Sequence, residues 1–440
     1  MAALTPRRIA LVCMTPAVDT NELGGRSMPS YGIRRILAAV VADPELAEAK
    51  LALVDYARPD VDAYVDALTR FEPDLIGISI YVWSTSCMIE VARRIKQRRP
   101  QCAIVFGGPS ARPAVFDLPP YAPAQAYLDA VVTTEGEAIF REIARLPELS
   151  RAALRSVSGL NLPASGVWLQ TGTRAPTADL DAIASPFQLG LMAPGSVAYL
   201  ETYRGCPLSC RFCEWGASET SKAVFSADYI ARELEAFARQ GSPSVFLLDA
   251  GLNLNAKGFR NLLDAESRVG FLKSSQLWAE IYPTHIKEEH LEFLARVGTS
   301  YLGVGLQSID PAVLKLHDRP FDRLRFEAAM RQLTGVTTAE LQIIFGLPGD
   351  TPEGFRRTLE YARSFPVTVR AYHCLVLPDA LMSRGRPDWD MRYDHTNLAM
   401  ISCLGWSSED ILAMREELAR ETAACGGRAG DYWWSFPRRN

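Results

Sequence analysis

YRGCPLSCRFCEWG, Tyr203 to Gly216, is the stretch on which the reading of the whole chain turns. Cys206, Cys210 and Cys213 stand three and then two residues apart, directly after the strand-like run SVAYLETY (Ser196 to Tyr203). Three thiolates so closely spaced on a loop suit three irons of a [4Fe–4S] cluster and leave the fourth iron open. A zinc site would bring four protein ligands or a set containing histidine, and no histidine lies nearby.

Beyond the cysteines, short apolar runs alternate with helical stretches. They are SVFLLDA (Ser244 to Ala250), QLWAEIY (Gln276 to Tyr282), YLGVGLQS (Tyr301 to Ser308), AELQIIFGLPG (Ala339 to Gly349) and TVRAYHCLVLP (Thr368 to Pro378). Counted with the run before the cysteines, six βα units in about 180 residues predict a partial (β/α)6 barrel. Before the motif, Pro163, Gly166, Gly172 and Pro176 interrupt the pattern and GVWLQ suggests a hairpin, so 149–195 reads as a linker. Earlier still, RIALVCM, LALVDYA, DLIGISIYV, CAIVFGGPS and LDAVVTTEGE alternate with helices. Strands apolar on both faces predict a doubly wound parallel sheet, with Ser79, Gly107 and Gly108 on its ligand-binding edge. The expected divisions are 1–148, 149–195, 196–378 and a short extension, 379–440.

Composition narrows the function classes. Lys+Arg 47 against Asp+Glu 51 leaves a net charge of -4, so there is no basic excess for a phosphate backbone. No run approaches the roughly 20 apolar residues of a membrane helix. The N-terminus lacks a secretory pattern, so a cytoplasmic location is expected, where thiols stay reduced. The nine cysteines then do not read as a disulfide framework. His317 reads as a surface or capping residue, and Cys374, Cys403 and Cys425 as buried apolar residues.

The C-x-x-x-C-x-x-C loop after the first barrel strand resembles that of the radical S-adenosylmethionine (SAM) superfamily. The resemblance implies that the open iron chelates the amino and carboxylate groups of SAM, and that reductive cleavage yields a 5′-deoxyadenosyl radical. It places Phe212 near the adenine or as a shield of the cluster. LLDAGLNLN departs from the usual glycine-glycine-glutamate motif but looks like a D-x-x-x-N variant, making Asp249 and Asn253 candidates for SAM. Glu280, Gln307 and Ser308 match strands whose polar groups meet the ribose and carboxylate, and Phe345 opens the segment beside adenine. Capping of helices is the plain alternative for each polar residue.

PDLIGISIYVWS (Pro73 to Ser84), VFGGPS (Val105 to Ser110) and TTEGE (Thr133 to Glu137) resemble the cobalamin (B12)-binding, Rossmann-like domain of one branch of the superfamily. Small residues at Ser79, Gly107 and Gly108 would let a corrin or its nucleotide tail approach. None of the five histidines precedes His285, which excludes axial cobalt ligation by histidine from this domain. Base-off cobalamin and a domain that only buttresses the barrel both remain open.

The short extension resembles that of the radical diol dehydratases of aminoglycoside biosynthesis. The expected function is therefore dehydration of an amino-sugar diol, with Glu214, Glu280, Tyr372 and His373 as proton donors or acceptors. The rivals are cobalamin-dependent radical methyl transfer and, from another class, a non-catalytic Fe–S electron carrier or sensor. Expected partners are a small-molecule substrate and a flavodoxin- or ferredoxin-type one-electron donor, with no nucleic acid and no membrane.

Overall fold

The computed structural model describes residues 6–15, 28–216 and 223–439, in two compact units. The first runs to Val197 and is built on a seven-stranded sheet. Its strands are β1 (Arg8–Met14), β2 (Lys50–Tyr56), β3 (Leu75–Ser79), β4 (Ala103–Gly107), β5 (Ala130–Val132), β6 (Leu160–Ala164) and β7 (Val167–Gln170). The order is β2-β1-β3-β4-β5-β6-β7, parallel through β5 and antiparallel thereafter.

The apolar strand runs coincide with this parallel core because each strand is covered on both faces. Helices Tyr31–Val41 and Gly136–Arg145 pack together, as do Val61–Phe71 and Thr85–Arg98. Ile9, Leu11, Ile33, Leu37, Ile139, Phe140 and Ile143 share one buried cluster. Asp60 caps the second helix by accepting from the Ala63 N–H at 3.0 Å. The hairpin expected in a linker is β6–β7. Val131 pairs with Asn161 and Val132 with Leu160, so the hairpin extends the first sheet and does not stand apart from it.

The second unit carries β8 (Ala198–Leu200), β9 (Ser244–Leu247), β10 (Gln276–Ile281), β11 (Thr299–Gln307), β12 (Thr338–Phe345) and β13 (Thr368–His373), each beside the next and all parallel. This is the open partial barrel. A two-stranded pair, β14 (Arg392–Tyr393) and β15 (Met400–Ser402), follows. The aromatic C-terminal segment then returns as β16 (Arg428–Ala429) and β17 (Trp433–Phe436). Trp433 pairs antiparallel with Tyr372 and Phe436 with Val369, so the extension covers the edge of β13 that an open barrel would leave unpaired.

Strand alternation sorts the second unit's side chains. On β10, Leu277, Ala279 and Ile281 are buried while Gln276, Trp278 and Glu280 are only partly so; on β13, Thr368, Arg370 and Tyr372 are likewise the less buried set. The half-buried sets share the inner face, and the buried ones meet the helices outside.

Candidate active site

The cysteine loop is anchored where it leaves β8. Asp249, beyond β9, accepts hydrogen bonds from the Thr202 backbone N–H at 2.8 Å, from the Thr202 hydroxyl and from the Tyr203 N–H at 3.4 Å. Asn253 makes two bonds to the Tyr282 backbone, donating to its carbonyl at 2.8 Å and accepting from its N–H at 2.9 Å. Burial pushes the Asp249 carboxyl up to about 7, against the pull of its three donors. Both residues, expected to face SAM, instead tie neighbouring strand ends together.

Two arginines absent from the sequence reading hold the loop itself. Arg384 donates to the carbonyls of Ser209 (3.2 Å), Cys210 (3.0 Å), Cys213 and Asp379 (3.1 Å). Arg319 reaches the Cys210 Sγ at 3.9 Å, donates to the Gly305 carbonyl on β11, and lies 4.6 Å from the centre of the Tyr282 ring. Neither could be found from spacing, since each sits over 100 residues from the thiols it serves.

Burial raises the Cys206 thiol and pushes Cys213 up to about 11. Neighbouring cysteines raise both further, and Arg319 pulls both down. Among the described residues no three His, Cys, Asp or Glu side chains are drawn together as a closed metal-ligand set. The loop nevertheless offers three thiols within one another's electrostatic range beside a fixed cation, the donor chemistry an iron–sulfur cluster takes.

The inner face beyond the loop is polar and aromatic. Glu280 accepts from the Gln342 amide at 3.1 Å, and burial followed by the nearby Glu340 charge raises its carboxyl. Its carboxylate fills the space beside Gly303, where a Cβ would lie 2.3 Å from Oε1, so a larger residue there would push the carboxylate aside. Deeper in, Glu340 pairs with Arg370 at 2.8 Å and accepts from the Tyr301 hydroxyl at 2.8 Å. Trp278 packs on Tyr301 with ring centres 4.5 Å apart, and Arg370 stacks 4.8 Å from the Trp433 ring. Tyr372 senses Arg370, Glu340 and Glu280, and burial raises its phenol.

The Gln307 amide oxygen and the Trp278 indole N–H have no hydrogen-bond partner among the described residues. Gln307 also holds a φ of 68°, a left-handed conformation uncommon outside glycine. An orphaned acceptor on a strained residue at the end of β11 fits a residue that awaits a ligand.

Several other expected residues lie elsewhere. Adjacent residues of a strand face opposite ways, so Tyr372 and His373 cannot both look inward. His373 is buried outside, 4.6 Å from Phe345 in a stack, with Nε2 on the Met400 carbonyl and Nδ1 against Arg415, both at 2.9 Å. Burial and Arg415 push it down to about 4. Phe345 belongs to the same outer aromatic cluster, with Phe355, Trp406 and Trp434. Ser308 accepts from the Asp310 N–H in a turn, and Glu214 accepts from the Asp379 N–H at 3.3 Å. The Phe212 ring lies 5.8 Å from that of His317, which is not a surface group: it is fully buried, bonded to the Pro348 carbonyl and pushed down to about 4 by burial.

In the first unit, Ser79 ends β3 and Gly107 ends β4. A Cβ on Gly107 would meet nothing within 4 Å, whereas Gly108, at φ +95°, lies against the Ile80 backbone and the Ser79 hydroxyl. Trp83, which the sequence reading passed over, is 53% exposed just beyond them and stacks on Tyr81 at 4.6 Å. An open glycine edge beside an exposed aromatic face fits a large flat ligand.

Comparison with known proteins agrees with both units. Residues 200–362 match the radical SAM superfamily, and residues 25–144 match the B12 binding domain. A 2-(S-pantetheinyl)-carbapenam-3-carboxylate methyltransferase from Streptantibioticus cattleyicolor is 30% identical over 352 residues, covering 70% of this chain and 48% of its own. The cobalamin-dependent radical SAM methyltransferase TokK from Streptomyces tokunonensis is 29% identical over 65% of this chain and 44% of its own. The chain thus spans about half the length of these curated relatives. The structure of the radical S-adenosylmethionine methyltransferase TsrM from Kitasatospora setae superposes with a TM-score of 0.68 at 17% identity, over 94% of this chain and 88% of that one. Among the described residues no helix is long and apolar enough to cross a membrane. With its open barrel, its cysteine loop and its 2-1-3-4-5 parallel sheet, the chain carries a radical SAM domain preceded by a B12-binding domain.

Proposed function

We propose that the chain transfers a methyl group to a small molecule in a cobalamin-dependent radical SAM reaction. The observation that carries this is the similarity to the carbapenam methyltransferase, which extends over 352 residues and therefore over more than either domain alone. This reading replaces dehydration of an amino-sugar diol, which rested on the short C-terminal extension. TsrM, described as a methyltransferase, is matched over 88% of its length, so a chain of this size is no argument against methyl transfer.

Cys206, Cys210 and Cys213 would hold the cluster, and Gln307 would meet SAM through its unsatisfied amide. Ser79, Gly107, Gly108 and the face of Trp83 would receive the corrinoid. When bound, these groups supply an electron that splits SAM and a methyl group for the substrate radical. The chain's own part is positional: Arg384 and Asp249 fix the loop, and the aromatic inner wall keeps bulk water from a reactive carbon. Glu280, partly buried where the neighbouring Glu340 is fully so, is the inner-face candidate to orient the substrate or take a proton from it. The substrate is expected to be a small molecule, and the electron to come from a flavodoxin- or ferredoxin-type donor.

The test is anaerobic incubation of the reconstituted chain with SAM, a corrinoid, a reductant and candidate substrates, followed by mass spectrometry. Methyl transfer yields both 5′-deoxyadenosine and S-adenosylhomocysteine. Deoxyadenosine without S-adenosylhomocysteine would return the dehydratase reading, and neither product with iron loaded would favour an electron carrier.

A further inference from the structure

Arg319 is unusual among the chain's arginines in what holds it. One Nη donates to the Gly305 carbonyl in the middle of the inner face, and the other lies 3.9 Å from the Cys210 Sγ. The guanidinium sits over the Tyr282 ring at 4.6 Å. Tyr282 is itself fixed, its backbone by Asn253 and its hydroxyl by the Pro320 carbonyl. A cation clamped by a carbonyl and an aromatic face is preorganised, unlike a surface arginine that must be ordered on use. Arg211, the basic residue between Cys210 and Cys213, is instead spent on Asp318 and the Arg384 carbonyl.

We infer that Arg319 is a positioning residue that tunes the cluster's reduction potential, raising it through its hydrogen bond to the Cys210 sulfur and its fixed positive charge. This rests on the reading of Cys206, Cys210 and Cys213 as cluster ligands but not on which reaction follows. Reduction adds one negative charge to the cluster. A guanidinium donating to a ligand sulfur favours the added charge, and the effect is stronger where water is excluded. The electron comes from an external one-electron donor, and no proton moves in the step. Arg319 thus matters for whether a physiological donor can reduce the cluster at all.

The test is a potentiometric titration of the reconstituted full chain with titanium(III) citrate, following the reduced cluster by electron paramagnetic resonance. Arg319→Gln is expected to load iron and sulfide as the parent does. Its midpoint should fall by about 59 mV or more, the equivalent of a tenfold loss in the one-electron reduction equilibrium. An unchanged midpoint at full loading overturns the inference. Should Arg319→Gln fail to hold iron, Arg319→Lys decides, because an ammonium cannot span Gly305 and the sulfur at once: a lowered midpoint supports the fixed fork as the source, and an unchanged one overturns it. Were Cys210→Ala to load a normal cluster, the ligand assignment itself would fail, an outcome separate from any change at Arg319.

Discussion

Arg384→Ala isolates what holds the cysteine loop. The side chain donates to three carbonyls of that loop, on Ser209, Cys210 and Cys213, and to Asp379. A hydrogen bond from a charged donor contributes about 1.5–3 kcal/mol when buried, but Arg384 is only half-buried, so about 1 kcal/mol for each loop bond is the better figure. Losing three gives about 3 kcal/mol, or roughly a hundredfold rise in the population of the opened loop. The assay is release of iron from the reconstituted protein to an excess of chelator. Release should quicken by about that factor, while denaturant unfolding of the first unit, which does not contain Arg384, stays where it was. Release at the parent rate would refute the idea that these bonds hold the loop closed around its ligands. Arg384→Lys, which keeps the charge but can satisfy fewer carbonyls, should fall between.

Further outcomes follow from the buried ionisable groups. His317 and His373 lie at about 4, so between pH 6.5 and 4 the unfolded chain binds protons that the folded one refuses. Each therefore lowers stability on acidification by about 1.4 kcal/mol per pH unit. Asp249 at about 7 and Asp350 at about 6 act with the opposite sign over much of that window, because the folded chain keeps protons the unfolded one has released. Asp249→Asn removes one opposing group, so its unfolding free energy should fall more steeply than the parent's from pH 6 to 4; equal slopes in the two proteins would contradict the assignment. Arg370→Met strands the Glu340 carboxylate, whose side chain is 4% exposed, and should cost about 3–5 kcal/mol in chemical denaturation. Glu280→Gln keeps the bulk beside Gly303 and should retain iron and uncoupled deoxyadenosine formation while substrate methylation drops at least tenfold. Methylation at the parent rate would remove Glu280 from the site.

The sequence alone determined the elements and the kind of chemistry. Strand runs such as RIALVCM and TVRAYH and the thiol spacing at Cys206, Cys210 and Cys213 are local patterns, written in consecutive residues by burial on both faces and by ligand reach. What it could not decide is which of two neighbours faces inward. Tyr372 and His373 were equal candidates until the register of β13 against β12 and β17 turned one toward Glu280 and the other into the outer aromatic cluster. Polar residues at strand ends were ambiguous for the same reason: Asp249, Asn253 and Ser308 carry side chains suited to a ligand, and only the folded backbone shows that its N–H and carbonyl groups have already claimed them. Arg319 and Arg384 stayed invisible because their partners are distant in the chain. A long-range pair leaves no periodic trace, since its strength depends on distance in space, which the tertiary structure alone supplies.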